Sequence, residues 1–369
     1  MDVANDLKYP ATLDELLKLS VEKKGSDLHV VAGAKPSIRI NGEIEPQDFP
    51  VMTAPVLEEL LRGILNPSQW EKLKNDFELD FSYSITGVAR FRGNIMVQRG
   101  SYAAVFRAVP YIIPDFDKLG ILPGIKKLCS LSRGLVLVTG PTGSGKSTTL
   151  AALIDIINSE RKLNIVTVED PIEFLHRHKL STVRQREIGT DTYSFESALR
   201  HVLRHDPDVI LIGEMRDLES ISIALTAAET GHLVFSTLHT QTAPLTISRI
   251  VDVFQNERRE QIRQQLSNSL KAVISQQLIP AADGRGRVVA IEYMVDTPAI
   301  RSIIREGKEH QLYNAIQTGH AFGMQTMDAA LCKLFLEGKI TREAAFEYCI
   351  DKMEMERSMQ GRYSLKTSW

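Results

Sequence analysis

Residues 135–154 read LVLVTGPTGSGKSTTLAALI, an apolar run followed by a glycine-rich loop and a segment with helical spacing. The loop from Gly140 to Ser147 matches the phosphate-binding pattern G-x-x-x-x-G-K-[ST] at every fixed position. Glycines are needed in such a loop because backbone N–H groups must approach the phosphates closely, often with positive φ. Lys146 would add a positive charge and Ser147 a hydroxyl for Mg²⁺. The stretch therefore predicts a nucleotide site between a strand and the N-terminus of a helix.

The composition is that of an ordinary folded protein. The chain has 369 residues, of which 43% are hydrophobic and 24% are charged, so it is long enough for two or three domains and is not a disordered sequence. No apolar run approaches the ~20 residues that a membrane-spanning helix needs. The first six residues are acidic and polar, unlike a signal peptide. These features predict a cytoplasmic protein.

Charge and cysteine content argue against two further classes of protein. The net charge of −2 gives no global reason to expect nucleic-acid binding, although it leaves local basic patches open. The three cysteines, Cys129, Cys332 and Cys349, are scattered and form no C-x-x-C pair. We therefore expect neither a disulfide framework nor a cysteine zinc site.

The pattern of apolar and polar residues changes near residue 110. Before it, residues 1–109 mix a helical pattern at Leu13–Val21 with short alternating strands, which predicts a small α+β domain. Prolines and glycines in residues 110–124 predict a linker. From residue 125 to 296, short apolar strands alternate with helices, which predicts a parallel sheet covered on both faces. The predicted strands are Leu135–Thr139, Ile165–Val168, Val209–Ile212, Leu233–Ser236 and Val288–Tyr293. Residues 297–369 show helical patterns alone and predict an appended helical subdomain.

Two acidic blocks follow predicted strands, where the active residues of a parallel sheet gather. Glu169, Asp170 and Glu173 lie within five residues after the second strand. Hydrolysis of a phosphoanhydride needs one group to orient or deprotonate water and another to hold Mg²⁺. The third strand ends at Glu214, in the pattern of a Walker B strand, and this acid would face Mg²⁺ together with Ser147. The alternatives are a solvated acidic loop for the first block and, for Asp217, a helix N-cap.

Histidines flank the fourth predicted strand. His232 precedes it and His239 follows it, so a polar group at a strand end could sense the γ-phosphate, although each histidine alone is more often structural. His201 and His205 stand four residues apart on a predicted helix, as zinc ligands can. The glutamate of a metalloprotease motif is missing there, because Val202 occupies its place.

These blocks, taken in order, resemble the secretion-type ATPases, and most closely the type IV pilus retraction (twitching motility, PilT-like) ATPases. The similar segments are Gly140–Ser147 (Walker A), Glu169–Phe174 (Asp box), Gly213–Asp217 (Walker B), Gly231–Thr240 (His box), Gly25–His29 and Ala299–Glu306. They span nearly the whole chain. Ser236 departs from the pattern where glycine is frequent, and Ser302 departs where asparagine is usual.

The resemblance implies an α/β fold in which a PAS-like N-terminal domain precedes a RecA-like P-loop NTPase domain and a C-terminal helical subdomain. It implies Glu173 as the catalytic carboxylate, Ser147 and Glu214 as Mg²⁺ ligands, and His239 as the γ-phosphate sensor. It places phosphate-binding arginines of the N-terminal domain at Arg92 and Arg107, for which a solvated strand face is the alternative. The remaining expected nucleotide contacts are Gly140, Pro141, Thr142, Gly143, Ser144, Gly145, Lys146, Thr148, Glu169, Asp170 and His232.

The function implied is that of a homohexameric motor that hydrolyses ATP with Mg²⁺ and drives pilus retraction. Its expected partners are the pilus machinery and an inner-membrane platform protein. The ATPase itself would be cytoplasmic and would be held at the inner membrane through these partners. No nucleic acid is expected as a partner. Three alternatives stay open: a retraction accessory paralogue, a pilus-assembly or type II secretion ATPase, and a regulatory module that binds ATP without turnover. A helicase or packaging ATPase on the same core would need a basic surface.

Overall fold

The computed structural model describes residues 8–109 and 112–366, which form two units that separate between Ile112 and Ile113. Each unit has a hydrophobic core of its own. The acidic start of the chain, on which the signal-peptide argument rests, lies outside the described residues. So do Pro110 and Tyr111 of the predicted linker.

Unit 1 is the small α+β unit that the N-terminal sequence predicted. Its six strands form an antiparallel sheet in the order β3-β2-β1-β6-β5-β4. On β5, Phe91, Gly93 and Ile95 are buried, whereas Arg92 and Asn94 between them are less buried, as the alternating pattern requires. The elements are α1 (Leu13–Glu22), β1 (Asp27–Val31), β2 (Ser37–Ile40), β3 (Glu43–Pro46), α2 (Ala54–Arg62), α3 (Pro67–Asp76), β4 (Glu78–Ile85), β5 (Ala89–Gln98) and β6 (Ser101–Val109).

Unit 2 is built on a seven-stranded sheet in the order β13-β12-β7-β11-β10-β8-β9. All neighbouring strands are parallel except β12 and β13. The α/β fold class is therefore confirmed. The elements are β7 (Gly134–Thr139), α4 (Lys146–Glu160), β8 (Asn164–Glu169), β9 (Thr182–Glu187), α5 (Phe195–Val202), β10 (Val209–Ile212), α6 (Leu218–Glu229), β11 (Leu233–Leu238), α7 (Ala243–Asp252), α8 (Asn256–Ser269), β12 (Leu270–Pro280), β13 (Arg287–Val295), α9 (Pro298–Arg305), α10 (Leu312–Thr318), α11 (Met327–Leu336), α12 (Arg342–Tyr348) and α13 (Lys352–Lys366).

The sequence analysis missed two of these strands, β9 and β12. β9 reads TVRQRE and lies at the edge of the sheet, so it lacks the apolar run typical of the inner strands. β12 begins directly after α8, and its apolar run is interrupted by Ser275, Gln276 and Gln277. Polar side chains inside a sheet are stable only when they are hydrogen-bonded, and both strands use theirs at the nucleotide site.

The predicted linker, residues 110–124, is largely part of unit 2. Two 3-10 segments, Phe116–Lys118 and Pro123–Ser130, begin within or at the end of it. Phe116 and Ile121 are buried in a cluster with side chains of β7 and α4. These apolar residues fix the segment, although its prolines and glycines resembled a linker in the sequence.

The helices after Thr297 belong to the same compact unit as the seven-stranded sheet. α9 and α10 bury Ile300 and Ile316 in the same cluster as the helices that cover the sheet. α11 and the helices after it pack Leu331 and Met355 against Ile279 of β12. Short amphipathic helices cannot bury their apolar side chains alone, so they complete the core of unit 2.

Candidate nucleotide-binding site

The glycine-rich loop leaves the carboxyl end of β7 and ends at the first turn of α4. Three of its glycines have positive φ: 140° at Gly140, 78° at Gly143 and 88° at Gly145. A Cβ on Gly140 would lie 2.2 Å from the carbonyl oxygen of Gln276. The loop thus needs glycine both for its backbone angles and for its close approach to β12.

Lys146 is buried and turned toward its own loop. Its Nζ donates to the carbonyl oxygens of Gly140 at 2.8 Å and Pro141 at 2.9 Å. Burial lowers the pKa of this ammonium group, although the nearby carboxylate of Glu214 opposes the shift. The charge is therefore held inside the loop, close to where phosphate oxygens would bind.

Strand β12 supports the loop from below through Gln276. The amide of Gln276 donates to the carbonyl oxygen of Ser144 at 2.6 Å and accepts from the Thr149 hydroxyl at 2.9 Å. The Thr139 hydroxyl also donates to Ser275 at 2.9 Å. The sequence analysis did not identify these contributors, whose signal was a polar triplet in an otherwise apolar strand.

The acidic block divides into buried and exposed carboxyl groups. Glu169 is buried, and it accepts hydrogen bonds from the Thr167 hydroxyl at 2.7 Å and the Glu173 backbone N–H at 3.4 Å. Burial raises the pKa of Glu169. Asp170 and Glu173 are exposed. The first carboxyl therefore holds the loop, whereas the other two face the space beside the phosphate loop.

Glu214 follows β10 and contacts two basic side chains. Its carboxylate lies 2.8 Å from an Arg216 guanidinium nitrogen and 2.9 Å from Nε2 of His239. Burial opposes ionisation, but the Arg216 hydrogen bond and the charges of His239, Arg216 and Lys146 hold the pKa of Glu214 below its usual value. The predicted Walker B acid and the predicted sensor are thus in direct contact. Arg216 was given no role from the sequence.

Two neighbours of this pair have structural roles. Asp217 caps α6, since its side chain accepts from the Ser220 backbone N–H at 2.7 Å. Ser236, where glycine is frequent in similar sequences, donates its hydroxyl to the Ile212 carbonyl oxygen at 2.8 Å. That bond ties β11 to β10 two residues before Glu214.

His232 does not reach the phosphate loop, which corrects its assignment as a nucleotide contact. It precedes β11, at the opposite end of the strand from His239. Its Nδ1 lies 2.9 Å from the Ala227 carbonyl oxygen and 3.3 Å from the Thr230 hydroxyl, at the end of α6. A six-residue strand is about 20 Å long, so the two histidines are separated by roughly that distance along β11.

These groups surround a cavity of about 610 Å³, and every residue that lines it belongs to unit 2. The predicted residues in its wall are Thr142, Gly143, Gly145, Lys146, Ser147, Thr148, Glu169, Asp170, Glu173, Glu214 and His239. Gly140, Pro141 and Ser144 belong to the loop but are not part of the wall. Residues that the sequence did not single out complete it, including Phe174, His176, Phe195, Arg216, Leu278 and Arg287.

Comparisons with known proteins show similarity over the same segments. Residues 90–321 match the family described as type II/IV secretion system protein. Over 335 residues the chain is 50% identical to the type IV pilus retraction ATPase PilT of Pseudomonas aeruginosa, covering 91% of this chain and 97% of that protein. The chain belongs to the type II/IV secretion ATPase family. It is an ATPase of the pilus-retraction type, as its motifs predicted.

Two further proteins resemble this secretion ATPase. The type IV pilus ATPase PilU of the same organism is 41% identical over 335 residues, which cover 91% of this chain and 88% of that one. A crystal structure of the pilus retraction motor PilT with bound ADP superposes with a TM-score of 0.88 at 48% identity, covering 94% of this chain and 100% of that one. The fold and the nucleotide-binding character of this secretion ATPase agree with these relatives.

The two arginines that the resemblance indicated lie side by side in unit 1 of this ATPase. Arg92 on β5 is the direct cross-strand partner of Arg107 on β6. Arg107 Nε donates to the Asp27 carboxylate at 2.7 Å. Burial raises the pKa of Asp27, but hydrogen bonds from Ser26 and Arg107 outweigh it and lower the pKa overall. Contact of these arginines with phosphate stays a prediction.

The residues expected to hold Mg²⁺ are suited to it. Ser147 and Glu214 line one cavity and offer the oxygen ligands that Mg²⁺ prefers. Within residues 8–109 and 112–366, no three His, Cys, Asp or Glu side chains come together as a metal cluster. His201 and His205, the alternative zinc pair, do not lie on one helix, because α5 ends at Val202 and His205 lies beyond it. None of the helices in this described part has the length and apolar character needed to span a bilayer.

Proposed function

We propose that this ATPase drives type IV pilus retraction as a homohexamer, hydrolysing ATP with Mg²⁺. The observation that carries the proposal is the single cavity that brings the phosphate loop, Glu173 and the Glu214–His239 pair together. Its similarity to PilT over 91% of the chain supports the biological role. The expected partner is an inner-membrane platform protein of the pilus machinery, at which a cytoplasmic ring would act.

In the proposed reaction, loop N–H groups and the N-terminus of α4 bind the phosphates. Mg²⁺, when bound, would neutralise phosphate charge; Ser147 and Glu214 would hold it directly or through water. Glu173, exposed at the cavity wall, orients and deprotonates the attacking water. His239, bonded to Glu214, relays loss of the γ-phosphate. Arg92 and Arg107 add positive charge to the phosphates.

Three substitutions test these roles. Lys146→Ala should weaken ATP binding by roughly 10- to 100-fold, because charge-assisted hydrogen bonds are lost. Glu173→Gln and Glu214→Gln should bind ATP but hydrolyse it at least ~100-fold more slowly. Binding is measured by calorimetry and turnover by phosphate release. Glu260→Gln, on an exposed face of α8, is the matched control. Normal turnover in Glu173→Gln would show that another group is the base.

Native mass measurement with Mg-ATP tests the hexamer, and a monomer would contradict it. Negligible turnover at saturating ATP would favour the regulatory module, and stimulation by DNA would favour a helicase.

In cells whose own retraction ATPase genes are deleted, this chain alone should restore twitching and remove excess surface pili. Restoration only beside a second retraction ATPase would identify an accessory paralogue. If deletion of the gene for this chain from its own cells removed the pili or stopped secretion, the chain would instead be an assembly or secretion ATPase.

A further inference from the structure

Gln185, on the edge strand β9, makes three hydrogen bonds with the acidic loop. Its Nε2 donates to Oε1 of Glu169 at 3.1 Å and to the Phe174 carbonyl oxygen at 2.9 Å. Its Oε1 accepts from the backbone N–H of His176 at 2.8 Å. The amide thus uses both of its donors and its acceptor on this one loop.

These contacts enclose Glu173 on both sides. One is made before it, at Glu169, and two after it, at Phe174 and His176. Glu187, two residues further along β9 and on the same face, accepts from the Ile172 backbone N–H at 3.0 Å. Glu173 itself is exposed at the cavity wall. Because burial does not fix this side chain, its position depends on how the loop backbone is held.

We propose that Gln185 is the positioning residue for Glu173 in ATP hydrolysis. The inference rests on the catalytic role proposed for Glu173. Gln185 does not line the cavity, so it acts through the loop and touches no reacting atom. A displacement of about 1 Å at a reacting group can cost on the order of 100-fold in rate. Glutamine is required because the loop presents two acceptors and one donor to this side chain.

Gln185→Ala removes all three bonds and should lower kcat by roughly 10- to 100-fold. The affinity for ADP should change by less than about threefold, because the phosphate loop is supported separately by Gln276. Arg184→Ala is the matched control, since Arg184 is on the same strand, is exposed and bonds to the Asn164 side chain. Equal losses of kcat and ADP affinity would show that Gln185 has a merely structural role. An unchanged kcat would also overturn the inference.

Gln185→Glu provides a pH readout in which a positioning role changes kcat with pH while the affinity for ADP stays constant. The new carboxyl can donate to Glu169 or Phe174 only while it is protonated. Its kcat relative to the original protein should therefore rise as the pH is lowered from about 8 to about 6. The other titratable side chains on this loop and on the same face of β9 include Glu169, Glu173, His176 and Glu187, and they are common to both proteins compared in the ratio. If the ratio of the two kcat values did not change with pH, the inference would be overturned. This test remains usable even if the Gln185→Ala variant does not fold.

A double substitution separates this inference from the proposed function. If Gln185 acts through Glu173, adding Gln185→Ala to Glu173→Gln should not slow the residual turnover further. Additive losses would overturn the positioning role while leaving Glu173 as the base. Normal turnover in Glu173→Gln alone would instead overturn the proposed base, and the positioning role would fail with it.

Discussion

Gly140 and Gly143 belong to the same loop but are needed for different physical reasons. Both have positive φ, which costs a non-glycine residue about 1–2 kcal/mol. Space for a Cβ exists at Gly143, where no atom lies within 4 Å of it. At Gly140 the Cβ would meet the Gln276 carbonyl oxygen at 2.2 Å. The phosphate-binding pattern fixes Gly140 and leaves the position of Gly143 open, which agrees with this difference, but the pattern does not show the contact with β12 that causes it.

Gly140→Ala should therefore lower the free energy of unfolding by more than Gly143→Ala. We expect about 1–2 kcal/mol for Gly143→Ala and at least about 2 kcal/mol more for Gly140→Ala, because β12 and β7 must separate. Chemical denaturation of both variants measures the difference. Equal destabilisation would show that the contact with Gln276 does not determine the loop's position.

Arg107 has a structural contact that affects any test of its catalytic role. Arg107→Ala removes a charged donor from the buried Asp27, and we expect a loss of about 1 kcal/mol because the guanidinium is largely exposed. The pKa of Asp27 is lowered in the folded state, so this loss is present at neutral pH and disappears as the pH falls below 3.8. Denaturation at pH 7 and pH 3 measures it. In an Asp27→Asn background the loss should be smaller, and an undiminished loss would refute the pairing.

At the scale of elements, strand β13 connects two helix N-termini through one buried carboxyl group. Glu292 accepts from the backbone N–H of Ala243, in α7, at 2.6 Å and from that of Met327, in α11, at 3.4 Å. Ala243 begins the helix four residues after His239. Burial is the main cause that raises the pKa of Glu292 to about 7. The group therefore links the sensor loop to the C-terminal helices.

This carboxyl predicts a pH dependence of stability. Because its pKa in the folded state is above the usual 4.5, its contribution is greatest below pH 4.5 and is lost as the pH rises through about 7. Thermal unfolding should therefore shift to lower temperature between pH 5 and pH 8. Glu292→Gln should reduce this slope, whereas exposed Glu260→Gln should keep it. An unchanged slope in Glu292→Gln would contradict the assignment.

For the whole molecule, the location of the cavity within unit 2 has a direct consequence. Each unit has its own core, and all cavity-lining residues lie between Thr142 and Arg287. A fragment of residues 113–369 should fold and bind ADP within about threefold of the full chain, as calorimetry would measure. Its turnover should fall at least ~10-fold, because Arg92 and Arg107 are absent. Full turnover by the fragment would exclude a catalytic role for these arginines.

Features that depend on local chemistry could be predicted from the amino-acid sequence alone. The glycine-rich loop, its preceding strand and its following helix were readable because their residues are neighbours in the chain. Buried parallel strands were recognised wherever they are continuously apolar. The similarity of four ordered motifs also identified the family, which the comparisons with known proteins confirmed.

Features that depend on contacts between distant residues became visible only in the folded protein. Gln276 supports the phosphate loop from 132 positions away, counted to Ser144, and Gln185 holds a loop on the neighbouring strand. Their strands were missed because these same polar side chains interrupt the apolar pattern. His232 and His239 looked alike in the sequence, but they lie at opposite ends of β11. Hydrogen bonding stabilises buried polar groups only when partners from other strands are present, and local sequence does not record those partners.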